Sequence, residues 1–216
     1  MEISNCTRAR GAALLICLLL LTSLTLLGLA AASDANLQGR MAGNLEEARL
    51  SARTADATLA WAENWLLSLD GAQRPATCGG ICEPGEVIHE SGSYPVAPEH
   101  ESPAWWLNNG FTIGHDPVSG EVLDASLAAL DGLWIIEEVH FEGADEERPD
   151  TGYYRSIARG RGLVGKSVAV TESIVARPWG DAAWDDPLPR EPGQTSFCRQ
   201  PGIEGRCSRL AWRQRR

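Results

Sequence analysis

The chain has 216 residues, of which 44% are hydrophobic, enough for one domain with a buried core and extensions. Its formal net charge of -10 disfavours nucleic acid as a partner. The charge is unevenly distributed. Residues 83–150 contain sixteen acidic residues and one base, Arg148, whereas residues 206–216 contain five arginines and no acid.

An uncharged apolar run near the N-terminus predicts a transmembrane helix. Residues 12–32 include ten leucines and no charged residue. As a helix, with a rise of about 1.5 Å per residue, the run would span about 31 Å, roughly one hydrocarbon core. Because Arg8 and Arg10 precede it, the positive-inside rule predicts a cytoplasmic N-terminus and export of everything after Ala32.

A secretory signal peptide, cleaved near Ala30, is the alternative interpretation of this run. Two features favour a retained helix. The run is longer than the apolar core of a signal peptide, which usually has about 7–15 residues. The helical pattern also continues past the small residues of that cleavage site.

Downstream of Asp34, apolar residues recur every three or four positions: Leu37, Met41, Leu45, Ala48, Ala52, Ala55, Leu59, Ala62, Leu66 and Leu69. This period predicts an amphipathic helix. No proline interrupts the pattern, and Gly71 provides a plausible stop, so we expect one helix over residues 12–70. Its second half would pack the apolar stripe against a globular head. A coiled-coil stalk, in which the stripe serves a dimer, is the alternative.

Residues 71–180 are predicted to form that head. Proline and glycine are frequent from Gln73 to Pro103, which predicts mostly loop, and two short helices are expected near residues 103–108 and 122–130. Aromatic and β-branched residues predict three strands, at residues 133–142, 152–161 and 166–177, the last ended by Pro178. Three glycines favour an antiparallel hairpin between the last two strands: Gly160, Gly162 and Gly165.

Residues 181–216 are rich in proline and glycine and predict a loop-rich tail. Four cysteines lie outside the N-terminal region, and in an exported domain they indicate two disulfides with three conceivable connectivities. The pair Cys78 and Cys82 is separated by a flexible Gly-Gly, and Cys198 and Cys207 would close a ten-residue loop.

A long anchor helix, an antiparallel sheet and a Cys-closed C-terminal loop together resemble the plan of a type IV pilin. Four stretches are similar to the PilX-type minor pilins of type IV pilus assembly: residues 9–44 with LQGRMAGN at their end, residues 153–162 (YYRSIARGRG), residues 168–179 (VAVTESIVARPW) and residues 209–216 (RLAWRQRR). The resemblance touches both ends of the chain and is vaguer in the middle.

The resemblance implies an α+β, pilin-like fold with a prepilin leader at residues 1–11. It further implies cleavage between Gly11 and Ala12 by prepilin peptidase, with N-methylation of Ala12. The implied location is the inner membrane, with the head in the periplasm, and later the pilus or cell surface. The implied partners are the other minor pilins and the major pilin, and no cofactor or enzymatic activity is implied.

One departure from the family pattern concerns the fifth mature position, where most pilins carry glutamate and this chain has Ile16. A carboxylate buried among apolar helices is costly unless it is paired, for example with the terminal amine of a preceding subunit. A subunit that starts the filament has no predecessor to pair with. Loss of this charge therefore fits an initiating or tip position.

Some motifs suggest other chemistry. Residues 160–167 fit the G-x-x-x-x-G-K-S pattern of phosphate-binding loops, but the following VAVTESIVAR favours a strand over the required helix, so we expect no nucleotide. None of the four histidines, His89, His100, His115 and His140, has metal-ligand spacing. The acidic residues 142–150 offer the oxygens that Ca²⁺ favours, and a solvated loop is the alternative.

The sequence contains no recognisable catalytic constellation, so we expect no enzyme. The leading hypothesis is an assembly subunit that primes or caps a type IV pilus with other minor pilins. The alternative is a pilus-associated adhesin, in which exposed tryptophans and the tail contact an external ligand.

Overall fold

The computed structural model describes residues 8–71, 73–79, 85–143, 150–180 and 208–215. The chain divides into two units, Met1–Glu46 and Glu47–Arg216. The described elements, in chain order, are α1 (Arg8–Ser68), β1 (Thr77–Cys78), β2 (Ile88–Glu90), a 3₁₀ helix (Pro98–His100), α2 (Pro103–Asn109), β3 (Phe111–Thr112), α3 (Ala125–Ala128), β4 (Gly132–Glu142), β5 (Asp150–Arg161), β6 (Val168–Trp179) and β7 (Ser208–Arg215). The fold class is α+β, as the sequence predicts.

Helix α1 begins at Arg8, before the predicted start at Ala12, and runs through Ser68. Side chains of residues 13–46 are exposed, including the first part of the predicted apolar stripe. From residue 51 onward the stripe is buried against the sheet, at Ala55, Leu59, Ala62 and Leu66. The predicted packing of the second half against a head is therefore confirmed for these four residues, which leaves them unavailable to a coiled-coil partner.

The strands form one mixed sheet in the order β1-β2-β4-β5-β6-β7, with β3 paired to β4. The pairs β4–β5 and β5–β6 are antiparallel, as predicted, and the unpredicted strand β7 is antiparallel to β6. The prediction of a wholly antiparallel sheet is wrong, because β1 pairs parallel with β2, and β2 parallel with β4. A parallel neighbour requires a crossover, and the segment carrying α2 and α3 provides it between β2 and β4.

The three predicted strands are confirmed with shifted ends, and Pro178 does not terminate the third. Strand β6 continues to Trp179, with Pro178 opposite Thr151 of β5. Proline lacks a backbone N–H, so a strand tolerates it where no hydrogen bond to a neighbouring strand needs that donor. On the β7 side, the described pairing ends at Ala176, so no β7 acceptor faces Pro178.

The prediction of a loop-rich tail is wrong for residues 208–215, which form β7 along β6. This segment contains no proline or glycine, unlike the preceding stretch, so nothing in it prevents strand pairing. Residues 181–207, which include the predicted Cys-closed loop, lie outside the described part of the chain.

Each face of the sheet carries its own apolar cluster. The face against α1 contributes Trp134, Ile136, Tyr154 and Trp179, which pack with Leu59 and Leu66 of the helix. The opposite face, which we call the outer face, is covered by the segment that contains α2. There Trp106 packs on residues from three strands: Leu133, Ile135, Ile157 and Val170.

The covering segment of the outer face is fixed by specific hydrogen bonds. The Ser102 side chain caps α2 by accepting a hydrogen bond from the Trp105 backbone N–H at 3.1 Å. The buried Trp106 indole donates to the Pro98 carbonyl at 3.0 Å. The sheet is thus enclosed on both faces.

Candidate functional site

The first unit presents an exposed apolar helical surface. All ten leucines between residues 12 and 32 are more than half exposed, from 56% at Leu19 to 71% at Leu14. Exposure of apolar area to water is unfavourable by about 25 cal/mol per Å². By length and composition, α1 is a helix that could cross a membrane.

The polar side chains within this apolar stretch are satisfied by the helix itself. The Thr22 and Ser23 hydroxyls donate to the Leu19 carbonyl at 3.0 and 2.8 Å, and Thr25 donates to Thr22 at 2.8 Å. Hydroxyls bonded in this way need no water, so they suit a hydrocarbon environment. The predicted processing residues, Gly11 and Ala12, lie within α1.

In the second unit, α1 approaches the backbone of β5 at Gly160. A Cβ atom on Gly160 would lie 2.6 Å from the Ser51 carbonyl oxygen and 2.8 Å from the Ala55 Cα. Real Cβ atoms essentially never come so close to other atoms, so only glycine fits here. The helix therefore contacts the strand backbone directly.

Two further glycines permit the same approach. A Cβ atom on Gly132 of β4 would collide with the Thr58 hydroxyl, and one on Gly162 would lie 2.9 Å from the Glu47 carbonyl oxygen. The helix residues at these contacts are small or polar, and Thr58 satisfies its own hydroxyl by donating to the Thr54 carbonyl at 2.6 Å. Sequence reasoning assigned Gly160 and Gly162 to a hairpin and missed their contact with α1.

The β5–β6 hairpin turn is also hydrogen-bonded to α1. The Val164 backbone N–H donates to the Glu47 carboxylate at 3.0 Å, and the Ser51 and Ser167 hydroxyls are 3.0 Å apart. Gly165, with φ of 70°, supplies the left-handed turn conformation. The G-x-x-x-x-G-K-S pattern is therefore a strand–turn–strand segment, and its first glycine is the contact point for a helix.

At its C-terminal end, α1 is held by a buried arginine that the sequence analysis did not single out. The Arg177 guanidinium of β6 donates to the Leu66 carbonyl and, at 2.5 Å, to the Leu69 carbonyl. These carbonyls lie at the C-terminal end of α1, where a helix leaves its acceptors unpaired. A cation there also interacts favourably with the partial negative charge of the helix C-terminus. Burial lowers the pKa of Arg177 to about 10, so it stays charged at neutral pH.

Arg177 belongs to a wider polar and aromatic layer. Its guanidinium lies 3.9 Å from the Trp179 ring centroid, and the Trp179 indole donates to the Tyr154 hydroxyl at 2.9 Å. Tyr154 in turn donates to Glu138 at 3.1 Å, and Glu138 accepts two hydrogen bonds from Arg74. Burial, with help from the Glu138 charge, raises the pKa of Tyr154, so the hydroxyl keeps its proton.

One carboxylate is buried between α1 and the sheet. Glu63 has no exposed surface and accepts a hydrogen bond from the Ser173 hydroxyl at 2.5 Å. A buried carboxylate is tolerated only when hydrogen-bonded. This bond therefore fixes the rotation of α1 relative to β6.

On the outer face, β7 is joined to the covering segment by ion pairs. The Arg213 and Arg215 side chains both bond Glu172 of β6, and Arg215 also reaches Glu99 at 3.0 Å. Burial lowers the pKa of Arg215, but its hydrogen bonds to Glu172 and Glu99 outweigh that effect and raise it. The C-terminal arginines thus connect three separate segments of the head.

The predicted disulfide and metal residues are only partly described. Cys78, in β1, is disulfide-bonded, whereas Cys82, Cys198 and Cys207 lie outside the described residues, so the pairing stays a prediction. Cys17 is a free, exposed thiol in the apolar stretch. Residues 144–149 of the acidic run are likewise not described, and the described residues contain no group of three or more potential metal ligands.

Comparison with known proteins gives no match: no protein-family model, curated protein or solved structure is similar to this chain. The functional conclusion therefore depends on the contacts described above.

Proposed function

We propose that this chain is a single-pass, membrane-anchored assembly subunit of the type IV minor pilin kind. The observation that carries the proposal is the contrast within α1. Residues 13–32 are uncharged, apolar and exposed, whereas residues 51–66 of the same helix are bonded to a folded head. The first part can insert into lipid or pack with similar helices, and the second presents the head.

The contacts between α1 and the sheet support a load-carrying role. Backbone contact at Gly160, the Glu63–Ser173 hydrogen bond and the two Arg177 bonds join the helix to β5 and β6 at three levels. An assembly subunit needs such a joint, because its apolar helix and its head must move as one piece.

Ile16 supports a position at the start or tip of a filament. It is 56% exposed and surrounded along the helix by leucines, so this stretch offers no carboxylate to a preceding subunit. A subunit that primes or caps the filament with other minor pilins does not need that pairing.

The N-terminus of the mature chain tests the proposal. The full chain is co-expressed with a prepilin peptidase, and the purified product is analysed by mass spectrometry. We expect a chain that starts at methylated Ala12, and we expect Gly11→Val to remain uncleaved. The control Gly28→Ala should be processed normally, because a Cβ at that position meets no atom within 4 Å.

A product that starts near Ser33 would contradict the proposal and indicate ordinary secretion. An uncleaved chain in the membrane fraction would also contradict the pilin assignment and leave only a membrane anchor.

A pilus-associated adhesin is the second candidate. One observation favours it: Trp212 on β7 is half exposed, at 50%. If attachment is the function, Trp212→Ala should abolish adhesion of piliated cells while pilus number, counted by electron microscopy, stays unchanged. If Trp212→Ala changes neither adhesion nor pilus number, the assembly role is favoured.

A further inference from the structure

The turn between β5 and β6 presents two neighbouring apolar side chains to solvent. Leu163 is 87% exposed, more than any other large apolar side chain in the described part of the chain, and Val164 is 68% exposed. Single exposed apolar residues are normal on protein surfaces, whereas neighbouring ones that project together are typical of contact surfaces. We call these two residues, together with the exposed cation Lys166, the hairpin tip.

The hairpin tip is held in one conformation by hydrogen bonds. The Gly162 N–H donates to the Ser167 carbonyl, and the Gly165 N–H donates to the Gly162 carbonyl, both at 3.0 Å. The Val164 N–H is bonded to Glu47 of α1. A turn that is ordered in advance loses little conformational entropy on binding, so the apolar side chains are already positioned for a partner.

The hairpin tip lies away from the points where the undescribed connections leave the sheet. The segments that join β4 to β5 and β6 to β7 both leave at the end marked by the pair of Asp150 and Trp179. The tip follows the pair of Arg161 and Val168, at the opposite end of the same strands. The side chains of the tip therefore project where described residues close the hairpin.

The level of the hairpin tip along α1 disfavours the lipid surface as its partner. This step rests on the proposed function, in which the apolar run up to Ala32 lies in the membrane. The fourteen helical residues between Ala32 and Glu47, the residue that binds the tip, measure about 21 Å. The headgroup layer on one side of a bilayer is only about 5–8 Å thick. A tip at the level of Glu47 is therefore beyond the headgroups.

The helix of an adjacent copy does lie at this level. Because all copies insert with the same orientation, the α1 helices of two adjacent copies run parallel, with matching residues at the same depth. Just before Glu47, α1 exposes apolar side chains, Met41 at 63% and Leu45 at 52%. Glu46, which is also exposed, carries the charge opposite to that of Lys166. This part of α1 and the hairpin tip thus match in level, in apolar character and in charge.

We propose that the hairpin tip of one copy docks on residues 41–46 of α1 in a second copy, with Lys166 facing Glu46. The two copies contribute different surfaces, so the contact is heterologous and leaves one tip and one helix surface free. A third copy can add in the same way. The contact therefore gives anchored subunits a means of self-association that extends beyond a dimer.

The experiment uses the full chain, co-expressed with a prepilin peptidase and carrying the photo-crosslinker p-benzoylphenylalanine in place of Leu163. The membrane fraction is irradiated, and the products are separated by electrophoresis and mapped by mass spectrometry. We expect a dimer in which position 163 is joined to residues 41–46 of the second copy. The same photo-crosslinker in place of Val118, which is 60% exposed and lies between β3 and α3, should give no such dimer.

Charge exchange tests the polar half of the contact. Lys166→Glu and Glu46→Lys should each lower the dimer yield by about two- to fivefold, because either substitution brings like charges together. The two substitutions combined should restore the yield. Both side chains are exposed, so neither substitution should change the Tm of the head.

The proposal is overturned by a product that stays monomeric, by a dimer joined elsewhere, or by a combined charge exchange that leaves the yield low. Attachment of position 163 to lipid would also overturn it and assign the tip to the membrane surface. The N-terminus of the irradiated chain separates this inference from the proposed function. A monomer that starts at methylated Ala12 contradicts only the docking, whereas absence of the chain from the membrane fraction contradicts both.

Discussion

The two halves of α1 reverse the usual relation between hydrophobicity and burial. Residues 13–32 contain ten leucines and are exposed, whereas the buried stretch that begins at residue 51 presents Ser51, Thr54, Ala55 and Thr58 to the sheet. Large apolar side chains in the first half need an apolar surrounding. Small side chains in the second half permit contact with the sheet backbone. The first turns of the buried stretch therefore contact the sheet backbone through small side chains, whereas Leu59 and Leu66 farther along α1 pack into the apolar cluster.

The largest effect is expected from a charge in the first half. Leu20→Arg should disfavour membrane insertion by about 3 kcal/mol, because the substitution places a cation near the centre of the apolar stretch. The measurement is the fraction of chain that remains in the membrane pellet after carbonate extraction. Asn64→Arg is the matched control, since it adds the same charge to an exposed position of the second half. Equal extraction of both variants would contradict a membrane role for the first half.

Glycine-to-alanine substitutions in the two units should have opposite signs. Gly160→Ala should destabilise the head by about 2–3 kcal/mol, because the added methyl overlaps the backbone of α1. Gly43→Ala, where a Cβ meets nothing within 4 Å, should stabilise the helix by at most about 1 kcal/mol. Chemical denaturation followed by tryptophan fluorescence measures the first, and far-ultraviolet circular dichroism the second. A neutral Gly160→Ala would show that the close approach is dispensable.

Replacement of Arg177, the β6 arginine that binds the C-terminal end of α1, should have a smaller effect. Arg177→Met should destabilise the head by about 2 kcal/mol, since the Leu66 and Leu69 carbonyls lose their donor. The comparison variant is Arg53→Met, the same substitution at an exposed arginine of α1. Only Arg177→Met should lower the denaturation midpoint. Similar midpoints would mean that the donors to α1 contribute little.

The smallest expected effect is a change in how the stability of the head depends on pH. The His89 ring of β2 contacts the Tyr94 ring with centroids 4.3 Å apart, and burial lowers the pKa of His89 despite the nearby Glu137 and Glu86. Because the unfolded chain then binds a proton more readily than the folded one, stability should fall as the pH drops below about 6.5. His89→Gln should flatten the Tm profile between pH 7.5 and 5.5, whereas His100→Gln, at an exposed site, should not.

The sequence predicts the elements whose signals are local. The apolar period of α1, the β-branched runs of β4, β5 and β6 and the glycine-rich turn between the last two strands all depend on neighbouring residues, and these elements were predicted within a few positions. Strand β7 was missed, because its arginines become compatible with a sheet only beside Glu172, a distant residue in the sequence. The parallel strands β1 and β2 were missed because they are too short to show a period.

The candidate site could be predicted only in part, for a similar reason. The apolar stretch is visible in the sequence, since a membrane helix needs only length and the absence of charge. The role of Gly160 depends on which helix packs on it, and the role of Arg177 depends on which carbonyls surround it. The turn signal and the phosphate-loop pattern obscured the role of Gly160, and nothing in the sequence distinguishes Arg177 from the other arginines.

The contact at Gly160 has a mechanical consequence for the head. Long side chains between a helix and a sheet can change rotamer and let the helix slide under tension. At Gly160 the backbones of α1 and β5 are in direct contact, so no side chain can change rotamer there. The hydrogen bonds of Ser173 and Arg177 also resist rotation of α1 and its displacement along the helix axis. A force applied to the second half of α1 would therefore be transmitted to the central strands with little relative movement. This part of the molecule is a mechanically rigid connection between helix and sheet.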